Sequence, residues 1–144
     1  MFNFIWELSM EKVQIFLKLF EKALNTLKES ISFVNNKDYD EIYTIIRDSV
    51  IQRFEYTVEL MWKTIKNFLK EVHWLECVSP KTCLKLAKKV WIIDNLEIYF
   101  KMINLRNITS HTYDETKADI LVEQIEYLLP FIQKVYDEIV KVLK

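Results

Sequence analysis

The chain has 144 residues, no glycine, two prolines and 51% hydrophobic residues, and its 20 basic and 21 acidic side chains give a formal net charge of −1. That length suits one domain spanning residues 1–144 with one core, and the absence of glycine removes the residue on which tight hairpins depend while favouring helices. A net charge near zero excludes a broad electrostatic grip on nucleic acid, which scales with the phosphates neutralised by Lys and Arg, so any such contact should be local.

The composition predicts an all-α fold, an up-and-down helical bundle of about five helices, four long and one short. Met1 to Glu11 is apolar but carries Glu7 and has neither a basic leader nor a small-residue cleavage site, so it does not read as a signal peptide. No apolar run reaches the roughly eighteen residues that a membrane helix needs, and the protein is expected to be cytoplasmic with no membrane contact. In that compartment Cys77 and Cys83 are expected to be reduced thiols, and their spacing matches no metal motif, so no metal is expected.

The first helix should run from near Phe4 to near Phe33, with Val13, Phe16, Leu17, Phe20, Leu24, Leu27 and Ile31 recurring every three or four positions as its buried stripe. Asn35-Asn36 can end it, because Asn tolerates the left-handed conformation when Gly is absent. Asp38 or Asp40 then offers an N-cap for a long second helix from about Asp40 to about Trp74. Its stripe is Ile42, Ile46, Val50, Phe54, Val58, Met61, Ile65 and Phe68 or Leu69, widened by Ile45, Ile51 and Trp62. Arg47, Gln52, Arg53, Glu55, Glu59 and Lys63 lie among these, and their spacing fits ordinary surface pairs. His73 stands at the helix end, where a histidine commonly meets the last carbonyls.

Ser79-Pro80 is a strong start for a short helix reaching about Val90, with Ser as N-cap and Pro in the first turn. Lys81, Lys85, Lys88 and Lys89 make it basic, as a solvated face or as a contact for RNA phosphates or an acidic partner. Asp94 and Glu97 have the spacing of a capping box for a fourth helix, with Leu96, Tyr99, Phe100, Ile103 and Leu105 or Ile108 facing the core. Thr112 with Glu115, or Asp114 alone, can cap a last helix that runs to the C-terminus. Its apolar side is Ile120, Leu121, Ile125, Leu128, Leu129, Ile132, Val135, Tyr136, Ile139 and Leu143, and Pro130 should kink or split it.

Between the last two helices lies Leu105-Arg106-Asn107-Ile108-Thr109-Ser110-His111-Thr112-Tyr113, a polar cluster holding one of the chain's two histidines. Arg106 offers a permanently charged planar fork for phosphate oxygens, and His111 can give or take a proton near neutral pH. Together they suit RNA cleavage without a metal or other cofactor. Five residues of regular helix rotate by roughly 500°, which leaves Arg106 and His111 about 140° apart around the axis. They converge only if the helix ends between them or if a second copy of the chain supplies the missing partner. Asn107 is four residues from His111 and is placed to orient its imidazole. The structural alternative has Arg106 and His111 neutralising and capping a helix C-terminus.

Arg106, Asn107 and His111 resemble the motif of the HEPN superfamily, in which Arg is followed by four to six residues and then His. Tyr113 narrows the likeness to HEPN toxins paired with minimal nucleotidyltransferase antitoxins. Arg47 to Tyr56 with Trp62-Lys63, Ser79-Pro80-Lys81 and Ser110 to Glu115 are similar to the proteins called nucleotidyltransferase substrate-binding subunits. The resemblance implies a HEPN-like helical fold and a homodimer with two Arg106–His111 pairs around one cleft, and it suggests that some of Arg47, Gln52, Arg53, Glu55, Glu59 and Lys63 line the cleft that receives the Arg106–His111 segment or a partner subunit. It also implies a metal-independent endoribonuclease acting on RNA, with Arg106 and His111 catalytic and Asn107, Ser110 and Tyr113 supporting. Tyr113 would be the hydroxyl that receives adenylyl groups from a separately encoded nucleotidyltransferase. The alternative is a non-catalytic subunit that presents a nucleotide or other substrate to that enzyme. Without glycine the chain cannot carry the Gly-Ser catalytic motif of a nucleotidyltransferase, so any such activity belongs to a partner.

Overall fold

Helix-forming sequence without glycine gives five helices in chain order: α1 (Phe2–Val34), α2 (Tyr43–His73), α3 (Pro80–Lys89), α4 (Leu96–Thr109) and α5 (Glu115–Leu143), with a 3-10 helix at Lys37–Ile42 between the first two. The computed structural model describes residues 2–109 and 114–144, with side chains from Met10 onward. Among them there is no β-strand, as the composition predicts. Among the described residues, no helix is long and apolar enough to cross a membrane.

Polar contacts between helices give their directions. Thr64 Oγ1 donates to the Phe16 carbonyl at 3.3 Å and Arg53 Nη1 to the Thr26 carbonyl at 2.7 Å, so α1 and α2 are antiparallel. Tyr136 Oη donates to Glu21 at 2.7 Å and Asn35 Nδ2 to Glu126 at 2.9 Å, so α5 is also antiparallel to α1. The stripes of all three meet in one core, where Phe20, Leu24, Phe54, Met61, Ile65, Ile125 and Ile132 are fully or almost fully buried. α3 and α4 close it, contributing Cys83, Leu84, Tyr99 and Met102. Tyr99 Oη donates to the Phe131 carbonyl at 2.9 Å, and burial, the largest influence, pushes its pKa well above the ordinary phenol value.

Several expectations from the sequence need correction. Asp38 and Asp40 do not cap α2. They lie inside the 3-10 helix, whose own N-cap is Asn36, accepting from the Asp38 N–H at 3.0 Å, and α2 begins after Ile42 without a side-chain cap. Neither Asn35 nor Asn36 is left-handed. That conformation is taken instead by Trp74 (φ 59°) and Trp91 (φ 67°), at the ends of α2 and α3. The His73 ring stands edge-on to Phe68, with centroids 5.4 Å apart, while the Leu75 N–H returns to the Leu69 carbonyl at 3.0 Å and closes α2.

Ile42 and Ile45 of the second stripe are exposed, as are Ile108 and Ile120. Asp94 lies two residues before α4 and its carboxylate binds Lys134 of α5 at 2.7 Å, rather than forming the predicted box. Pro130 does not split α5, which continues through it as one helix with Leu128 and Ile132 on either side buried in the same core. Ser79 caps α3 as expected and Asp114 caps α5, accepting from the Thr116 N–H at 3.1 Å.

Cys77 and Cys83 are joined in a disulfide, not reduced thiols. Ser79 turns the chain so that the approaching segment lies beside the first turn of α3, and the two Cα atoms come within 5.2 Å. Local geometry, which the expected compartment does not address, sets this pairing.

Candidate functional site

α4 brings Arg106, in the described part of the polar cluster, against α2. Leu105 is half-buried, Thr109 is buried, and the Thr109 hydroxyl donates to the Arg106 carbonyl at 3.0 Å, adding a side-chain bond to the last turn. Arg106 is thereby held at the rim, about a third exposed, with Nη2 2.9 Å from Glu59 Oε2 of α2. Its Nη1 donates to Asn107 Oδ1 at 3.3 Å, and Nε is buried without a hydrogen-bond acceptor among the described residues.

Glu59 is itself surrounded by donors. Trp62 Nε1 lies 3.0 Å away and Lys63 Nζ 3.2 Å, one helical turn along α2. Burial raises the Glu59 pKa, but the hydrogen bonds from Trp62 and Lys63 and the charge of Arg106 outweigh it and leave the carboxyl below its ordinary 4.5. The group is therefore an anion at neutral pH. It fixes Nη2 of the guanidinium at the rim, where the third of the side chain that stays exposed is what a phosphate oxygen could reach. The guanidinium is directed across to α2 and to Asn107, so the helix C-terminal carbonyls are not its principal partners.

The far end of the cluster is anchored as well. Arg47 of α2 is buried and lies 3.4 Å from Asp48, 3.8 Å from Glu115 and 3.9 Å from Asp119, the last two at the start of α5. Tyr43 Oη donates to Asp119 at 2.6 Å. Burial, helped by that carboxylate, pushes the phenol up to about 12. Ser110, His111, Thr112 and Tyr113 lie outside the described residues. Arg106 and Asn107 precede them and Asp114 with Glu115 follow, so both flanks of the motif are tied to α2.

Beside the motif, α4 and α5 enclose a groove of about 540 Å³ whose walls include Lys101, Asn104, Ile108, Ile120 and Tyr127. A shallower hollow on the outer face of α1, among Lys18, Glu21 and Lys22, touches none of the motif residues.

This helical arrangement and its sequence have clear relatives. Residues 14–141 match the family model described as "Nucleotidyltransferase substrate binding protein like". The chain belongs to that family. Across 122 residues, 78% of this chain and 84% of the other, this family member is 26% identical to a Haemophilus influenzae protein named "Probable ribonuclease HepT". A crystal structure from Thermus thermophilus is 34% identical and covers 87% of this chain and 98% of its own, with a TM-score of 0.66. The tri-AMPylated HEPN toxin of Shewanella oneidensis, in complex with an MNT antitoxin, superposes with a TM-score of 0.70 over 90% of this chain and 96% of its own, at 18% identity. At that identity the likeness is one of fold: this nucleotidyltransferase substrate-binding-like protein shares the helical bundle of that toxin.

Of the residues singled out in the sequence, the structure places Arg106 and Asn107 in contact. Glu59, one of the α2 residues that the resemblance offered as cleft lining, is the one that meets Arg106. Its spacing of three and four to Trp62 and Lys63 was visible in the sequence, but its pairing with Arg106 depends on how α4 is rotated against α2.

Proposed function

We propose that this protein is a HEPN toxin that cleaves RNA without a metal and is neutralised by a nucleotidyltransferase antitoxin. The observation that carries the reading is the Arg106 guanidinium, held by Glu59 and Asn107 at the rim and about a third exposed, directly before the segment containing His111. The name of the Haemophilus relative and the partner of the Shewanella toxin point the same way.

His111 takes the proton of the 2′-hydroxyl, the 2′-oxygen attacks phosphorus, and the bond to the 5′-oxygen breaks as that oxygen is protonated, leaving a 2′,3′-cyclic phosphate. Arg106 stabilises the charge that builds on the phosphate. One His111 supplies one proton-transfer site. In a homodimer the second copy provides the acid for the leaving oxygen. Asn107 orients the imidazole, Ser110 and Tyr113 line the phosphate site, and Tyr113 is the hydroxyl that an adenylylating partner would block.

The second reading, a non-catalytic subunit presenting a substrate to a nucleotidyltransferase, draws on the description of the matching family model. Cleavage of total RNA in EDTA separates the two, using protein whose intact mass shows no added nucleotide. The expected result is cleavage by wild type to cyclic-phosphate ends and a loss of at least ~100-fold in His111→Ala, the typical share of a general acid–base group. Inactive, unmodified, dimeric wild-type protein would favour the binding subunit.

A further inference from the structure

The overall charge is −1, yet from Cys77 to Ile93 the chain has no carboxylate and four lysines. Those lysines, Lys81, Lys85, Lys88 and Lys89, are all exposed on α3. Asp94, the first acidic residue after them, is already bound by Lys134 at 2.7 Å. Lys85, Lys88 and Lys89 have no ion pair among the described residues, so this helix is a local concentration of positive charge on a molecule whose net charge is −1.

Two residues past the last residue of α3 stands Trp91, which is 86% exposed and left-handed, with φ 67°. Its own N–H bonds the Lys88 carbonyl at 3.2 Å, and the next N–H, of Ile92, returns to the Ala87 carbonyl at 3.0 Å. Ile92 and Ile93 immediately beyond are buried. The backbone under the indole is therefore anchored while the ring stands in water beside the lysines. At the other end of α3, Lys81 Nζ lies 5.6 Å from the centroid of the Phe100 ring on α4, the helix that carries Arg106.

We propose that α3 and Trp91 form a binding surface for single-stranded RNA, in which Lys85, Lys88 and Lys89 contact phosphates and Trp91 stacks on a base. Lysines alone would suit any polyanion, including an acidic protein. An indole presented on a fixed backbone beside them favours a strand whose bases are free to stack. This inference rests on the reading that RNA is the substrate and adds how the strand is held outside the motif.

Binding is measured in the full-length protein carrying His111→Ala, so that affinity and cleavage are scored separately. The probe is a fluorescein-labelled single-stranded RNA of about twelve nucleotides, near the upper range of small single-strand sites. Trp91→Gly suits the left-handed backbone and removes the whole exposed side chain, and it is expected to weaken binding roughly tenfold. Replacing Lys85, Lys88 and Lys89 together by Gln should reduce the slope of log affinity against log salt by about 2, at ~0.7 per single-strand phosphate contact. A duplex of equal length should bind less tightly than the single strand. Unchanged affinity and slope in folded variants overturn the proposal. So does unchanged RNA binding combined with loss of a co-expressed nucleotidyltransferase, which would make α3 a protein-docking face. Binding that follows these expectations in a protein that never cleaves RNA leaves this proposal standing and removes the nuclease reading.

Discussion

Glu59 gathers Trp62, Lys63 and Arg106 around one carboxylate, and its carboxyl is consequently held below the ordinary 4.5. A carboxyl depressed in the folded state contributes stability that is fully present above its unfolded pKa and is lost as pH falls through the folded one. Glu59→Gln removes the charge opposite a guanidinium that is only about a third exposed. The expected cost at pH 7 is about 1–2 kcal/mol, or a fall of roughly 3–8 °C in Tm. The difference between variant and wild type should shrink as melts are repeated below pH 4.5. Equal Tm values at pH 7 would mean that Glu59 does not hold Arg106. At this scale the sequence was legible in part: Arg106 and Asn107 stood out because an arginine fork beside a histidine is unusual on an amphipathic chain. The anchoring of the motif by Arg47, Glu115 and Asp119 was not legible, since it joins residues whose separation only tertiary packing closes.

The helices themselves follow their apolar periodicity closely, and the ends are where reading and structure diverge. A chain without glycine was expected to use Asn for left-handed closure, yet Asn36 is extended and serves as an N-cap, while two tryptophans adopt positive φ. The reason is positional. Asn36 is needed to accept the Asp38 N–H, whereas Trp74 follows the last turn of α2, where the chain must reverse toward the Cys77–Cys83 disulfide. Trp74 is 80% exposed, so its ring contributes little burial to offset the steric cost of φ 59°. Trp74→Gly is therefore expected to stabilise the protein by about 0.5–1 kcal/mol, whereas Trp74→Val should destabilise it, as chemical denaturation would measure. If Gly proved destabilising, the indole would have to be making contacts that outweigh the backbone strain. The disulfide belongs to the same class of feature, set by a local turn that spacing alone does not reveal.

On the scale of the whole molecule, the proposed chemistry asks for more than one chain, because a single His111 cannot serve as base and acid in the same step. The groove between α4 and α5 adjoins the motif on the same helix, and Ile108, Ile120 and Tyr127 around it are 59%, 55% and 65% exposed. Helical periodicity assigned Ile120 to the core. Its exposure leaves apolar surface beside the site that a second copy would cover, since a stable interface needs roughly 1,200–2,000 Å² in total. The native protein is expected to sediment as a dimer at micromolar concentration. Ile120→Glu combined with Tyr127→Glu alters two exposed side chains, so helicity should be retained while the protein shifts to monomer. RNA cleavage should fall with the dimer fraction and recover at higher protein concentration, which loss of a merely local contact would not do. A native monomer that cleaves RNA at full rate would show that one chain brings both proton-transfer groups to the phosphate, and the second donor would then have to be sought among Ser110, Tyr113 and Lys63.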